Sequence, residues 1–199
     1  VLLALALLVV ALPILYITAS SFSSPQAVTA GRVWLWPVDF SLEGYKAVFQ
    51  NSKILTGYKN TVIYTVLGTL VNVTFTLMAA YPISRKDMPG HNLAAFLFTF
   101  TMIFSGGLIP TYLLNLNLGL LNTRWVMILP GAIGVWNLML AKNYFEHSIS
   151  PQLLEAAQID GCNDIRYLTR IALPLSKPII AVLVLFYAVQ HWNAFFDAF

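Results

Sequence analysis

Charged side chains are scarce in this sequence. Asp, Glu, Lys and Arg make up 10% of 199 residues, where soluble domains carry roughly a quarter. Hydrophobic residues make up 58%, in runs too long for the core of a soluble domain of this length. A membrane is the medium that suits this composition. The net charge of +3 is small and thinly spread, which argues against nucleic acid and leaves the basic residues to face lipid phosphates. Cysteine occurs once, at Cys162, so no internal disulfide can form and the thiol is read as an inert surface or packing group. No glycine is followed by four residues and Gly-Lys-Ser/Thr, so there is no phosphate-binding loop of that type. His91, His147 and His191 are far apart, with no zinc-type spacing and no cysteine pair. A Gly-x-Ser-x-Gly nucleophile turn is missing as well. No residue is therefore assigned as catalytic, cofactor-binding or metal-ligating.

What the chain does have is a series of apolar runs, each to be measured against the roughly 20 residues that cross about 30 Å of hydrocarbon. Five qualify. The first runs from Val1 to about Ser21, with Pro13 tolerated as a kink. It lacks the basic region of a signal peptide and is read as a transmembrane helix without its cytoplasmic start. The second runs from Asn60 to about Ile83, uncharged, with Asn72 its most polar residue. The third, from about Leu93 to Tyr112, is interrupted by Gly106-Gly107 and Pro110; the fourth runs from Trp125 to about Tyr144; the fifth opens at Pro178 and is cut at Phe199. Both ends of the protein are accordingly expected to extend beyond this sequence. Gly131 and Gly134 are read as sites of close helix approach.

Short loops set the orientation. Arg85 and Lys86 place 84–92 on the cytoplasmic side, which puts 113–124 outside and 146–177 inside, where Arg166, Arg170 and Lys177 agree. The segment 23–59 must then be external although Arg32, Lys46, Lys53 and Lys59 lie in it. Its Trp34, Trp36 and Tyr45 are either interface anchors or ordinary loop packing.

One polar stretch interrupts the apolar pattern, EAAQIDGCNDIRYLTRIALP from Glu155 to Pro174. It reads as two short helices hinged at Gly161. Ser150 caps the first and Pro151 occupies its first turn; Gly161 supplies the left-handed residue that ends it. Asn163 caps the second and Pro174 stops it. Leu153, Leu154 and Ala157 give the first helix an apolar side, too short to stand alone and so docked on something. Asp160 caps locally or fixes the turn, and Glu155 either suits the positive end of a helix dipole or pairs with a partner.

Glu155-Ala156-Ala157, then Gly161, then Ile171-x-Leu173-Pro174 after nine more residues, resembles the signature loop of permease subunits of ABC importers. Phe104-Ser105-Gly106-Gly107-Leu108-Ile109-Pro110-Thr111-Tyr112 with Leu118-Gly119-Leu120-Leu121-Asn122-Thr123 is similar to carbohydrate permeases, especially the branch that moves oligosaccharides of acidic plant or algal polysaccharides. The resemblance implies an all-α polytopic membrane helix bundle with the type I importer permease fold, five of an expected six transmembrane helices being present. It implies one transmembrane domain over 1–199, with a cytoplasmic coupling loop at 145–177. Glu155, Ala156, Ala157, Asp160, Gly161 and Pro174 would then couple to an ATPase subunit. It further implies a second homologous permease, two ATPase subunits binding ATP and Mg, an extracytoplasmic sugar-binding protein, a carbohydrate substrate, and a bacterial inner or plasma membrane crossed several times. This chain itself would hold no cofactor and catalyse nothing.

A second constellation lies late in the fifth span, in Gln190, Trp192, Asn193, Phe196 and Asp197. Gln190, Asn193 and Asp197 share one helical face. Intramembrane polar groups face a bundle interior or a wet path, and aromatic faces suit a sugar, so these residues are candidates for lining a translocation pathway. Interhelical hydrogen bonding without ligand contact is the alternative. Two other functional readings remain: import of a different solute, and a self-sufficient transporter run by an ion gradient. The latter wants paired ionisable residues deep in the spans, for which only His191 and Asp197 qualify.

Overall fold

The computed structural model describes residues 2–194. Phe196 and Asp197 lie outside the described residues. Among those described there are helices and turns but no strand, apart from one bridge between Ser23 and Phe40. The chain forms two compact units, 1–60 and 61–199.

In the first unit, α1 (Leu2–Ser21) is apolar all round, holds Pro13 inside it, and leaves most of its side chains exposed. Such a helix is stable only where hydrocarbon or another helix covers it. Ser24 caps α2 (Pro25–Thr29), and Ala19, Ala27 and Val33 form a small core. Ser23 ties the following loop down: its hydroxyl donates to the Ala19 carbonyl and accepts from the Val38 N–H. Trp34 and Trp36 nevertheless stand out of that loop at 79% and 82% exposure, so packing within the loop does not account for them. Tyr45, on α3 (Glu43–Gln50), does pack: its ring tilts against Phe22 and its hydroxyl donates to Ser21.

The helix α4 (Ser52–Ser84) begins before the expected Asn60 and has 33 residues. At 1.5 Å per residue it is about 50 Å long, so Lys53 and Lys59 fall on the stretch that overshoots the hydrocarbon. The expected interruption of the third span is present: α5 (His91–Ile103) and α6 (Leu108–Asn117) meet at 117°. Pro110 does not break this span, however, because it sits in the first turn of α6, where no intrahelical N–H bond is required. The fourth span differs most from expectation. After a 3-10 turn at Arg124–Met127 the backbone is irregular, and α7 starts only at Val135 and runs to Ser148. Leu129-Pro130-Gly131 supplies the cause: Gly131 has φ +75°, so it turns the chain rather than allowing helices to approach. Next come α8 (Pro151–Ile159), α9 (Asp164–Leu175) and α10 (Lys177–Trp192), the last two bent by 81°. Among the described residues α4 alone is long and apolar enough to cross a membrane by itself, and three spans result when each bent pair counts as one. The core of this unit joins α4, α7, α8, α9 and α10 through side chains such as Leu77, Leu138, Phe145, Ala157, Tyr167 and Leu183.

Candidate functional site

The polar stretch folds as an elbow of two helices. The Ser150 hydroxyl accepts from the Gln152 N–H at 3.3 Å with Pro151 in the first turn of α8. At the other end Cys162 N–H bonds the Ala157 carbonyl and Gly161 N–H the Gln158 carbonyl, the paired closure that requires a left-handed residue. Gly161 has φ +72°. The Asn163 side chain accepts from Arg166 N–H at 2.8 Å and caps α9. Pro174 does not stop this helix. A π-helical turn at Leu168–Ala172 changes the bonding pattern just before it, so the missing proline N–H leaves no gap, and the helix ends at Ser176. The Ser176 side chain is buried and donates to the Ala172 carbonyl at 2.7 Å, fixing that bend.

Ala157 is buried and Leu154 half-buried, so the apolar side of α8 docks through these two. Leu153, expected on that side, is exposed, because it lies about 100° round the helix from Leu154. Glu155, Ala156, Gln158 and Asp160 are also exposed, and Ile159 is 88% exposed. The docking platform is aromatic: Tyr81 meets Phe145 edge-on at 5.9 Å and Tyr167 at 6.2 Å.

Arg85 organises this platform. Its Nη1 donates to the Tyr81 hydroxyl and to Asp164 Oδ1, both at 2.8 Å, its Nε donates to Asp87 Oδ1 at 2.7 Å, and Nη2 pairs with the other Asp87 oxygen. The guanidinium also lies 5.7 Å from the centre of the Tyr81 ring. One cation thus ties the α4–α5 loop to the first turn of α9. These hydrogen bonds hold the Asp87 carboxyl below the usual carboxylate range and raise Arg85 further above its own. Between α8, the end of α7 and this loop lies a groove of about 390 Å³, with Lys86, Glu146, Glu155 and Gln158 in its walls. Lys142 and Glu146 pair across one turn of α7 at 2.6 Å. No cluster of His, Cys, Asp or Glu able to hold a metal lies among the described residues.

The described members of the second constellation take no part in helix-to-helix bonding. Gln190, Trp192 and Asn193 are exposed, and the Asn193 amide donates to Val189 of its own helix at 2.8 Å. Helix-to-helix bonding is done by the neighbouring face, which carries Tyr187 and His191. Tyr187 pairs with Thr76 at 2.6 Å and accepts from the Gly134 N–H at 3.0 Å, while His191 pairs with the Asn72 amide at 3.0 Å. Gly68 makes room for the latter pair, since a Cβ there would stand 2.4 Å from the His191 ring. The sequence pattern gives no role to Tyr187 or Thr76, and marks Arg85 only as an orientation-setting charge.

Broken helices, apolar surfaces and a docked polar elbow define the class, a helical membrane protein with paired short helices at one end of its spans. No family model matches the chain. The chain is 46% identical over 187 residues to the protein LplC of Bacillus subtilis strain 168, covering 94% of this chain and 63% of LplC. It is 43% identical over 191 residues to the polygalacturonan/rhamnogalacturonan transport system permease protein YtcP of the same organism, covering 96% of this chain and 66% of YtcP. It thus spans less than two thirds of either relative. Its fold matches a crystal structure of a bacterial ABC transporter involved in the import of the acidic polysaccharide alginate, with TM-score 0.94 and 39% identity over 98% of this chain and 69% of that one. The chain belongs to the permease family of ABC transporters.

Proposed function

We propose that the whole protein is a membrane-spanning permease subunit of an ATP-driven importer of oligosaccharides from acidic plant or algal polysaccharides. The reading gives this chain the path and leaves ATP and Mg to two separate ATPase subunits. A second homologous permease completes the path, and an extracytoplasmic sugar-binding protein delivers the substrate across a bacterial plasma membrane. The observation that carries it is the elbow. Helix α8 is docked by Ala157 and Leu154 on one side and presents Leu153, Glu155, Ala156 and Ile159 on the other. A docked element with an outward face of this kind transmits a push as a unit instead of deforming. The relatives named above, two of them described as serving polygalacturonan/rhamnogalacturonan and alginate transport, support the substrate class.

The test replaces Cys162 by Ser, places a cysteine at the exposed position of Ile159, labels it with a maleimide-benzophenone, and photo-cross-links the purified complex, the excited ketone inserting into a C–H bond of whatever lies against it. A cross-link to an ATPase chain, with ATP-dependent uptake of an oligogalacturonate, is the expected result. Uptake by this chain in vesicles without any ATPase would overturn the proposal, as would an elbow that cross-links to no nucleotide-hydrolysing subunit.

A further inference from the structure

Helix α7 runs from Val135 to Ser148, 14 residues ending at the elbow. At 1.5 Å per residue its first turn stands about 20 Å from the elbow, and Gln190 stands about as far along α10 from Lys177. Both therefore reach the same level, beyond the middle of roughly 30 Å of hydrocarbon. There the residues Gly134–Asn137 and the α10 face carrying Phe186 and Gln190 border an open groove of about 620 Å³. No side chain caps the N-terminus of α7, and the first N–H groups of a helix have no intrahelical partner. Asn137 is only 7% exposed, yet its amide takes no hydrogen bond among the described residues. Its Nδ2 lies 3.5 Å from where a Cβ on Gly134 would stand, at the mouth of the helix. The Trp136 indole is exposed beside it, and among the described residues no charged side chain lines the groove.

The amide atoms of Asn137 open onto the groove, and an acyl chain there would cover them without pairing them, at a cost of about 1–3 kcal/mol. An anionic oxygen fits instead, since the N-terminal amides of a helix carry a partial positive charge. Helices that start within a bilayer place such ends on anionic groups of a substrate. We propose that this groove is a subsite for one uronate unit of the transported oligosaccharide. Its carboxylate sits on the α7 N-terminal amides and Asn137, its ring face lies on Trp136, and its hydroxyls reach Gln190. The inference rests on the reading of the chain as a saccharide permease.

The test measures uptake of trigalacturonate by the full complex in proteoliposomes, with basal ATP hydrolysis and thermal unfolding as controls. Asn137→Asp is expected to raise KM at least tenfold, Asn137→Leu less, and Asn137→Gln least, with basal ATP hydrolysis within twofold of wild type. Trp136→Ala is expected to raise KM severalfold. Gln190→Glu, at an exposed position, should raise KM severalfold even where the Asn137 variants fail to assemble. Unchanged KM in the variants that assemble overturns the subsite, and equal effects of Asp and Leu at 137 overturn the carboxylate assignment. A wild-type complex that takes up no saccharide overturns the functional reading itself.

Discussion

Replacing Arg85 by Met removes the cation while keeping most of the apolar stem, and so isolates what its four bonds contribute. The side chain is 14% exposed, while its partners Asp87 and Asp164 are 58% and 69% exposed. Ion pairs to such exposed carboxylates are worth about 0–1 kcal/mol each. The hydrogen bond to Tyr81 adds about 1 kcal/mol, and the guanidinium over the ring about 0.5–1 kcal/mol. A combined loss of about 2–3 kcal/mol follows, which opens the start of α9 roughly 30- to 150-fold more often at about 1.4 kcal/mol per decade. The reporter is hydrogen exchange at Tyr167, whose N–H bonds the Asn163 carbonyl at 2.8 Å. Its protection should fall by that factor in Arg85→Met, while amides in the middle of α4 stay protected. Arg85→Lys keeps a charge but loses the fork that reaches both acids, and should fall between. Exchange at Tyr167 unchanged in Arg85→Met, or raised equally along α4, would refute the claim that this cation holds the elbow.

Gly161→Leu should lower ATP-coupled transport while leaving membrane insertion intact. Because nothing lies within 4 Å of a Cβ there, the cost is backbone strain of roughly 1–2 kcal/mol, so Ala should be as harmful as Leu and Asn milder. Equal uptake by Leu and wild type would contradict this. Gly68→Ala should destabilise the protein by about 1–3 kcal/mol through the clash with His191, read as a lower unfolding temperature. His191→Ala in the same chain should recover part of the loss, and no recovery would place the clash elsewhere. For pH, Asp87 is a carboxyl with its folded pKa lowered by Arg85. Its contribution is therefore complete above the ordinary value near 3.9 and is lost as pH falls through the lower folded value. Elbow protection in hydrogen exchange should accordingly stay constant from about pH 8 to 5, after correction for intrinsic exchange, and weaken only below about pH 4.

The caps of the elbow were legible because they obey local rules. Ser150, Gly161 and Asn163 each act within three residues of their own position. Pro174 misled for the same reason: the rule that proline ends a helix assumes a regular ladder before it, and the π-turn removes that assumption. Arg85 read only as a charge at a span end, because its partner Asp164 lies 79 residues away in sequence. The inner face of α10 carried a fainter signal. Asn72 and Thr76 are four apart on α4, as are Tyr187 and His191 on α10, and polar groups so spaced in apolar spans invite pairing. Periodicity alone could not decide between that face and the neighbouring Gln190–Asn193 face, since tertiary register settles which of them turns inward.

These contacts restrict how a push on the elbow can travel. The bend between α9 and α10 is held by the buried Ser176, bonded back to Ala172, so α10 cannot hinge there without leaving a buried hydroxyl unpaired. Further along, Tyr187 and His191 tie α10 to α4, and Tyr187 ties it to the start of α7 as well. At the elbow, Tyr81 and Arg85 tie the end of α4 to α9. Helix α4 is thus tied to α10 at one level and to α9 at the other, and sliding it past them would break both sets of contacts together. A displacement of α8 would then be carried as a rotation of the group, not absorbed inside it. The surfaces free to change partners are those outside the joined faces, the α10 side bearing Gln190 and Asn193 and the open first turn of α7. On the proposed reading as a permease, a path that alternates between the two sides of a membrane forms here.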